Sequence, residues 1–197
     1  VQYKKTRNGL IGENYSSKFS PYLAIGNLSP RKIYAEIKMF EKKHIKNNST
    51  YWLIFELLWR EYFRWVGYCY GNTLFLGESD LTGRSKQNNP KYFWEWADGR
   101  TISDFVNANM HELNETGFMS NRGRQNVASY LVHELCLPWQ WGAAYFESQL
   151  IDYDVSSNWG NWQYIAGLAP DGRIHRFNIS HQELRYDPKG TYRKLWS

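Results

Sequence analysis

The chain has 197 residues and carries 24 Lys and Arg residues against 19 Asp and Glu residues, a formal net charge of +5. Its 10 Trp, 15 Tyr and 10 Phe residues make up 18% of the sequence, a content that excludes a disordered chain. No stretch of 18 apolar residues occurs, so we expect no membrane helix and a soluble, intracellular protein. Cys69 and Cys136 are too few for a disulfide framework or a four-ligand zinc site.

The first helical signals lie in the N-terminal third, where apolar residues recur every three to four positions. Ser29 and Pro30 fit the N-cap and first turn of a helix that we expect to end near residues 47–48. A second helix is predicted from about Thr50 to Val66. Its aromatic face carries Trp52, Phe55, Trp59, Phe63 and Val66.

Two more helices are predicted from their capping residues. Ser103 or Thr101 would cap a helix that stops at Gly117. Ser120 would cap a helix that stops at Pro138, because proline cannot continue the backbone hydrogen bonding.

The last predicted helix runs from about residue 139 to residue 151. The segments 66–89 and 152–179 show neither a helical period nor a two-residue alternation, so we expect irregular connections there. The sequence therefore predicts one all-α domain over residues 1–197.

Three polar segments are unusual for a plain helical bundle. The first, residues 15–21, places Ser16, Ser17, Lys18 and Ser20 just before a predicted helix. Hydroxyls and free backbone N–H groups at a helix start suit a phosphate or pyrophosphate. An ordinary capped helix start is the simpler interpretation of the same residues.

The second segment opens the helix after Ser120 with two Arg and two amide side chains. Asn121, Arg124 and Gln125 share one face, and Arg122 points elsewhere. Cations at a helix N-terminus oppose the macrodipole. Their placement indicates either a function or Arg stems packed on neighbouring residues.

The third segment, residues 152–164, brings carboxylates, amides and aromatic rings into a stretch that we predict to be non-helical. Its Asp-x-Asp pair lacks the other ligands of an EF-hand calcium loop. A carboxylate at Asp152 or Asp154 could instead pair with Arg124 and hydrogen-bond a polar heterocycle. A purely structural role is the alternative.

Residues 6–9 (TRNG), 15–21 (YSSKFSP), 55–63 (FELLWREYF), 117–125 (GFMSNRGRQ) and 152–164 form five ordered motifs. Together they resemble the C-terminal, FAD-binding helical domain of the photolyase/cryptochrome family, and within it the DASH cryptochromes. The resemblance covers essentially the whole chain. It implies a helical FAD-binding fold with FAD as the cofactor.

The resemblance also implies which residues contact FAD. The run 16–20 would cradle the diphosphate, Arg124 would pair with Asp152 beside the flavin ring, and Asn158 would face the flavin N5. A neutral amide at that position adapts to either protonation state of N5. The implied set is Tyr3, Ser16, Ser17, Lys18, Phe19, Ser20, Arg60, Asn121, Arg124, Asp152, Asp154 and Asn158.

On the substrate side the resemblance implies a pyrimidine dimer that is flipped out of DNA. Trp59 would stack on the dimer, and Glu56 would stabilise charge at its carbonyl. Gln125 and Tyr164 stand where photolyases of cyclobutane pyrimidine dimers more often have Met and Trp. These two DASH-like changes imply a weaker apolar grip on a dimer in duplex DNA and a preference for single strands. The implied set is Arg7, Glu56, Trp59, Asn121, Arg122, Gln125 and Tyr164.

Electron transfer to the flavin is the third implied function. Trp162 matches the Trp nearest the flavin and Trp139 the middle one, and Glu56 and Asn158 complete the implied catalytic set. The outermost position falls on Lys86, a departure from the family pattern. The alternatives are Tyr92, Trp94 and Trp96. For the two tryptophans we favour core packing.

Family members also carry an N-terminal α/β domain that holds an antenna chromophore, and this chain starts just before the FAD motifs. We therefore expect no such domain or chromophore within this chain, which is either a fragment or a protein that works without an antenna. The flank that the domain would cover is a candidate surface for self-association. The segment 172–178 is shorter than the DASH pattern. It leaves open whether Arg173, His175 or Arg176 supplies a substrate-side cation.

Three functions are compatible with the sequence. The leading hypothesis is an enzyme of the photolyase type, which uses light and FAD to repair cyclobutane pyrimidine dimers in single-stranded DNA. The second is a blue-light photoreceptor in which the flavin is photoreduced without repair. The third is a helical domain without cofactor that binds single strands through basic and aromatic residues.

Overall fold

The computed structural model describes residues 2–12, 15–77, 88–169 and 173–197, and within these ranges it contains helices and no strand. The all-α prediction is confirmed. The helices are α1 (Tyr3–Thr6), α2 (Ser20–Ala24), α3 (Pro30–Lys43), α4 (Asn48–Tyr70), α5 (Pro90–Ala97), α6 (Asp104–Thr116), α7 (Asn121–Ser129), α8 (Trp139–Gln149), α9 (Val155–Ile165), α10 (Ile179–Tyr186) and α11 (Thr191–Leu195), with a 3₁₀ turn (Gly71–Phe75) after α4 and a π-helical turn (Tyr130–Glu134) after α7. Among the described helices, none has the length and apolar content required to cross a membrane.

The two asparagines that were expected to end α3 instead begin α4. α3 ends at Lys43, before them. The side chain of Asn47 accepts hydrogen bonds from the backbone N–H groups of Ser49 and Thr50, at 2.8 and 3.1 Å. The Thr50 hydroxyl in turn accepts from the backbone N–H of Asn47 at 3.2 Å, which completes a capping box. Asparagine is a preferred N-cap residue, and here that preference decides the boundary.

α6 and α7 begin at the predicted caps. The Ser103 hydroxyl accepts from the backbone of Val106, and α6 ends at Gly117, which has a left-handed φ of 66°. Ser120 caps α7 in the same way. α7 itself ends at Ser129, and the chain reaches Pro138 through the π-helical turn rather than through regular helix.

The prediction that residues 152–164 are non-helical is wrong, because α9 occupies most of that segment. Asp154 caps the helix by accepting a hydrogen bond from the backbone N–H of Ser157 at 2.9 Å. Of the five buried residues of α9, only Ile165 is aliphatic, and the others are Asn158, Trp159, Gly160 and Trp162, so a period of aliphatic residues is missing. α4 likewise extends into the segment 66–89, and α10 begins at the end of the segment 152–179.

Large aromatic rings fill the core between α5, α8 and α9. Trp96 is fully buried, and its indole N–H donates to the carbonyl of Val127 at 3.1 Å. The ring of Trp162 meets Phe146 and Trp96 edge-on, at centroid distances of 5.2 and 6.2 Å. Gly142 allows this close packing, because a Cβ there would lie 2.1 Å from the Trp162 ring. The contact fixes α9 against α8.

A smaller cluster attaches the C-terminal helix to α6. Tyr192 of α11 is fully buried against Phe105. Its hydroxyl lies 2.5 Å from a carboxylate oxygen of Glu112 and 3.2 Å from the side-chain oxygen of Asn109. The C-terminal residues are therefore part of the folded core.

We expect Gly142→Ala to lower the free energy of unfolding by about 1–2 kcal/mol. Overpacking costs about 1–3 kcal/mol, and alanine recovers up to about 1 kcal/mol of helix propensity. Denaturant unfolding followed by Trp fluorescence measures the change. Ala144→Ser, on the exposed face of the same helix, is the control and should be near neutral. A Gly142→Ala variant more stable than the parent would contradict this packing.

Candidate functional site

Two adjoining pockets open between the segment 15–20 and helices α4, α7 and α9. The first has a volume of 240 Å³ and the second a volume of 440 Å³. Ligand pockets in proteins usually measure about 300–1,000 Å³, so the pair suits a large organic ligand. The residues that line both pockets are Ser20, Asn121, Arg124, Gln125, Asp152, Asp154, Ser157, Asn161 and Tyr164.

Arg124 stands between the pockets with its guanidinium held from two sides. Nη2 donates to both carboxylate oxygens of Asp152 at 3.0 and 2.9 Å, and Nε donates to the carbonyl of Met119 at 2.9 Å. The Asp152 side chain is only 2% exposed, so it requires a paired charge. The carboxylate also offsets the cost of a cation in the first turn of α7.

One face of α9 supplies the polar wall of the pockets. Asp154 caps this helix and lies 3.5 Å from Nη2 of Arg60 on α4. Asn158 is buried at the first pocket, where its Nδ2 donates to the carbonyl of Ala143 at 3.0 Å. Sequence analysis missed Ser157 and Asn161, which follow Asp154 on this face. If the segment is taken as a helix, the spacings of three and four residues from Asp154 place both side chains on the same face.

Most of the segment predicted to hold a phosphate reaches the pockets. Ser16 lines the first pocket, Ser17 and Phe19 line the second, and Ser20 lines both. Tyr3 of α1 also lines the second pocket, and burial raises the pKa of its hydroxyl above the usual value. α2 has only five residues, so its dipole is small. The polar side chains around α2 are therefore the groups that could hold a phosphate here.

Lys18 is the member of the segment whose side chain lies elsewhere. Its ammonium nitrogen lies 4.5 Å from the ring centroid of Tyr15 and 4.4 Å from that of Phe118. Its backbone is left-handed, with φ of 58°, and its N–H donates to the hydroxyl of Ser16. This uncommon conformation for a non-glycine residue reverses the chain between the two serines and Phe19.

An ion pair lies on the wall of the second pocket. Nη2 of Arg7 donates to Oε1 of Glu56 at 2.5 Å. Burial raises the pKa of Glu56 above its ordinary value, and the charge of Arg7 opposes that shift. The carboxyl of Glu56 therefore takes up a proton at a higher pH than a solvent-exposed glutamate does.

Aromatic rings form the rim of the second pocket. Trp59 is 38% exposed and meets Tyr164 edge-on at a centroid distance of 6.4 Å. The ring of His175 stacks on Tyr164 at 3.6 Å. Of the three candidates for a substrate-side cation, His175 thus reaches this rim, whereas Arg176 pairs with Glu134 at 2.7 Å.

Gln125 presents an unpaired acceptor at the pockets. Its Oε1 is buried and has no hydrogen-bond partner within the protein. Buried polar atoms are nearly always satisfied, so this oxygen is open to a donor on a ligand or a water molecule.

Arg122 makes its principal contacts within the protein. Nη2 donates to the side-chain oxygen of Asn8 at 3.0 Å, and the guanidinium lies 4.8 Å from the ring of Tyr186. Burial lowers the pKa of Arg122. It lines the second pocket only, whereas Asn121 and Arg124 line both.

The two tryptophans expected to carry electrons have different surroundings. Trp162 lines the first pocket. Trp139 is buried, donates its indole N–H to the carbonyl of Gly77 at 3.2 Å, and meets Trp159 edge-on at 5.7 Å. Lys86 lies outside the described residues. Among the alternatives, Trp96 is in the core, whereas Trp94 and Tyr92 are exposed.

We examined the described residues for clusters of side chains that could bind a metal ion. Among them, no three His, Cys, Asp or Glu side chains come together in a group that could hold a metal ion. The acidic residues that line the pockets, Asp152, Asp154 and Glu56, are each paired with an arginine instead.

Sequence comparison identifies relatives of the whole chain. A family model described as the FAD binding domain of DNA photolyase matches residues 52–197. Cryptochrome DASH of Synechocystis sp. is 56% identical over 98% of this chain and 40% of that protein. Cryptochrome DASH of Xenopus laevis is 54% identical over 100% of this chain and 38% of that protein. The chain thus spans about two fifths of the length of the relatives it matches.

Solved structures share the fold. The crystal structure of Synechocystis sp. cryptochrome matches with a TM-score of 0.91 at 56% identity, over 99% of this chain and 41% of that one. A class III photolyase from Agrobacterium tumefaciens gives 0.90 at 30% identity, over 99% and 41%. An archaeal photolyase from Sulfolobus tokodaii, crystallised with two FAD molecules, gives 0.81 at 34% identity, over 96% and 42%. The chain therefore belongs to the photolyase/cryptochrome family as a helical FAD-binding domain, and the cofactor of this domain is FAD.

Proposed function

We propose that this domain holds FAD across the two pockets and repairs cyclobutane pyrimidine dimers in single-stranded DNA under blue or near-ultraviolet light. The observation that carries the proposal is the shared wall of α7 and α9. On one side of it lies a pocket with a fixed Arg124–Asp152 pair. On the other lies a pocket rimmed by Trp59 and Tyr164. A cofactor and a base can therefore meet within one cavity system.

The residues of the first pocket fit the flavin end of FAD. Arg124 supplies a positive charge that favours electron-rich flavin, and Asp152 fixes its position. Asn158 offers a neutral amide at the same pocket. Ser16 and Ser20 bring hydroxyls for the phosphates. When bound, FAD supplies the light absorption and the electron that opens the dimer.

The second pocket fits a flipped pyrimidine dimer. The partly exposed ring of Trp59 offers a stacking surface, and base–aromatic stacking contributes about 1–3 kcal/mol per base. Glu56, whose pKa is raised by burial, can donate a hydrogen bond to a pyrimidine carbonyl. The unpaired Oε1 of Gln125 can accept from a ring N–H.

Single-stranded DNA is the substrate that suits this rim. Gln125 and Tyr164 give it a more polar surface than the Met and Trp that photolyases of duplex DNA more often have. A polar rim gains less apolar contact from an extruded dimer. Flipping a base from a single strand also costs less, because no base pair is lost.

A blue-light photoreceptor without repair activity is the second candidate. Trp162 lines the first pocket and touches further aromatic rings in the core, an arrangement that suits electron donation to a bound flavin. This function needs the first pocket only. The dimer-facing residues of α4 therefore distinguish the two candidates.

We expect the FAD-loaded protein to remove thymine dimers from a single-stranded oligonucleotide under reducing conditions and blue light, and not in the dark. Glu56→Gln should slow repair by about 100-fold, the lower range for general acid catalysis. Glu115→Gln, an exposed glutamate on α6, is the control. Chromatography of the digested oligonucleotide measures the remaining dimer. Unchanged dimer content with FAD bound would rule out repair and favour the photoreceptor.

Trp162→Phe should abolish most photoreduction of bound FAD while FAD remains bound. Phenylalanine keeps an aromatic ring in the core but is much harder to oxidise than tryptophan. Absorption spectra under illumination measure the rate. Trp159→Phe, one turn earlier on α9, controls for lost packing and should retain photoreduction. An unchanged rate in Trp162→Phe would exclude Trp162 as the electron donor.

Arg124→Ala should weaken FAD binding by about 30-fold, since a hydrogen bond to a charged group contributes about 1.5–3 kcal/mol. The substitution leaves the buried Asp152 carboxylate without its partner. Arg124→Lys should fall in between, because lysine keeps the charge but loses the planar donors. Titration of the apoprotein with FAD gives the affinities. Arg100→Ala, which removes an exposed ion pair, is the control, and equal FAD affinity in Arg124→Ala would contradict the assignment.

A further inference from the structure

Four exposed aromatic rings follow one another along α4, one at every third residue. They are Trp59, Tyr62, Trp65 and Tyr68, and their exposed fractions lie between 38% and 82%. The first two rings meet edge-on at a centroid distance of 5.5 Å, and the last two do so at 5.9 Å. Residues three apart are neighbours on a helix surface, so these four side chains form one continuous aromatic row.

The aromatic row connects the second pocket to a groove between α3 and α4. Trp59 lines the second pocket, whereas Trp65 and Tyr68 line the groove, which has a volume of 760 Å³. Leu57 lines both, so the pocket and the groove lie on adjacent sides of α4. A strand that has one base in the second pocket can therefore continue along the row into the groove.

Exposed cations accompany the rings. Arg31 on α3 and Arg64 on α4 both line the groove. The carboxylate of Glu61 also lines it, and this carboxylate lies 3.0 Å from Nη1 of Arg60. Between positions 31 and 46, six Lys and Arg residues stand against two Glu residues, an excess of four positive charges in a chain whose net charge is +5. The surface beside the aromatic row is therefore basic.

The combination of rings and cations fits a single-stranded nucleic acid. Successive bases stack on exposed aromatic rings, and cations beside the rings neutralise the phosphates. A second copy of the chain fits less well, because a two-fold contact through the groove would bring the basic surfaces of both copies together. Bases that are paired in a duplex are not free to stack on the rings, so the row favours a single strand.

We propose that the aromatic row and the groove between α3 and α4 hold the part of a single-stranded DNA that extends from the second pocket. The inference rests on the proposed function, which assigns the second pocket to a base of that strand. Tyr62 and Trp65 stack on bases beside the dimer, and Arg31 and Arg64 contact the phosphates. The row thereby adds affinity for undamaged strand to the affinity that the pocket supplies.

The test measures the binding of a fluorescein-labelled oligothymidine without dimers by fluorescence anisotropy. Trp65→Leu should weaken this binding by about tenfold, the loss expected for one stacked base, and Trp65→Phe should retain most of it. Leucine keeps the apolar surface and phenylalanine keeps a ring, so the two variants separate stacking from apolar contact. Trp94→Leu, which removes an exposed tryptophan of α5, is the control and should bind as the parent does.

Two further measurements separate the rings from the cations. Arg64→Gln should lower the slope of log affinity against log salt concentration by about 0.7, the value for one phosphate contact on a single strand. A blunt-ended duplex of undamaged DNA should bind Trp65→Leu and the parent equally, because its bases do not reach the rings. Both substitutions change exposed side chains, so we expect melting temperatures close to that of the parent.

Equal affinities of Trp65→Leu and the parent for oligothymidine would overturn the proposal, as would a parent protein that does not bind it. If Trp65→Leu instead converts a dimer of the protein into a monomer in sedimentation, the row is a contact between copies and the proposal fails. An equal loss in Trp94→Leu would also contradict it. A strand that binds as expected while its dimer survives illumination would contradict the repair function and leave the row as a binding surface.

Discussion

The ion pair between Arg124 and Asp152 is the constraint on which the site depends. It joins the first turn of α7 to the residues just before α9, and these two helices form the wall between the pockets. A carboxylate as buried as that of Asp152 must be paired, so the pair keeps its geometry without a ligand. The contact of Gly142 with Trp162 then fixes α9 against α8. The wall between the pockets is consequently joined to α8 in the core.

Capping residues made much of the fold predictable. Ser103, Ser120 and Gly117 mark helix ends by local hydrogen bonds and backbone preference, which act within a few residues. α9 could not be recognised in the same way, because four of its five buried residues are two tryptophans, one glycine and one asparagine. Those residues are buried by contacts with α4 and α8, such as Gly160 against Phe63. Such contacts produce no regular spacing of aliphatic residues in the sequence, so the helix cannot be predicted from that spacing.

The pairing of residues within the site could be predicted where the family motifs imply it. Contacts between residues that are distant in sequence and belong to no motif could not be predicted. The motifs placed Asp152 with Arg124, and the structure shows that pair. Neither motif nor spacing indicates that the Tyr192 hydroxyl of α11 meets the carboxylate of Glu112 on α6, because the two residues lie 80 positions apart in sequence. The side chain of Lys18 is a similar case. Its motif implies a cofactor contact, and its left-handed backbone places the ammonium over two rings instead.

Different helices line the two pockets, and this difference suggests how repair and light sensing could diverge within one fold. α7 and α9 line both pockets, so changes there affect cofactor and substrate together. α4 lines the second pocket only, where it contributes Glu56, Trp59 and Arg60. Substitutions at Glu56 and Trp59 would therefore change the second pocket, which we propose for the dimer, and leave the lining of the first pocket intact. A photoreceptor could arise from a repair enzyme through α4 alone, and the half-buried Glu56 beside an exposed Trp59 is the arrangement that the proposed repair requires.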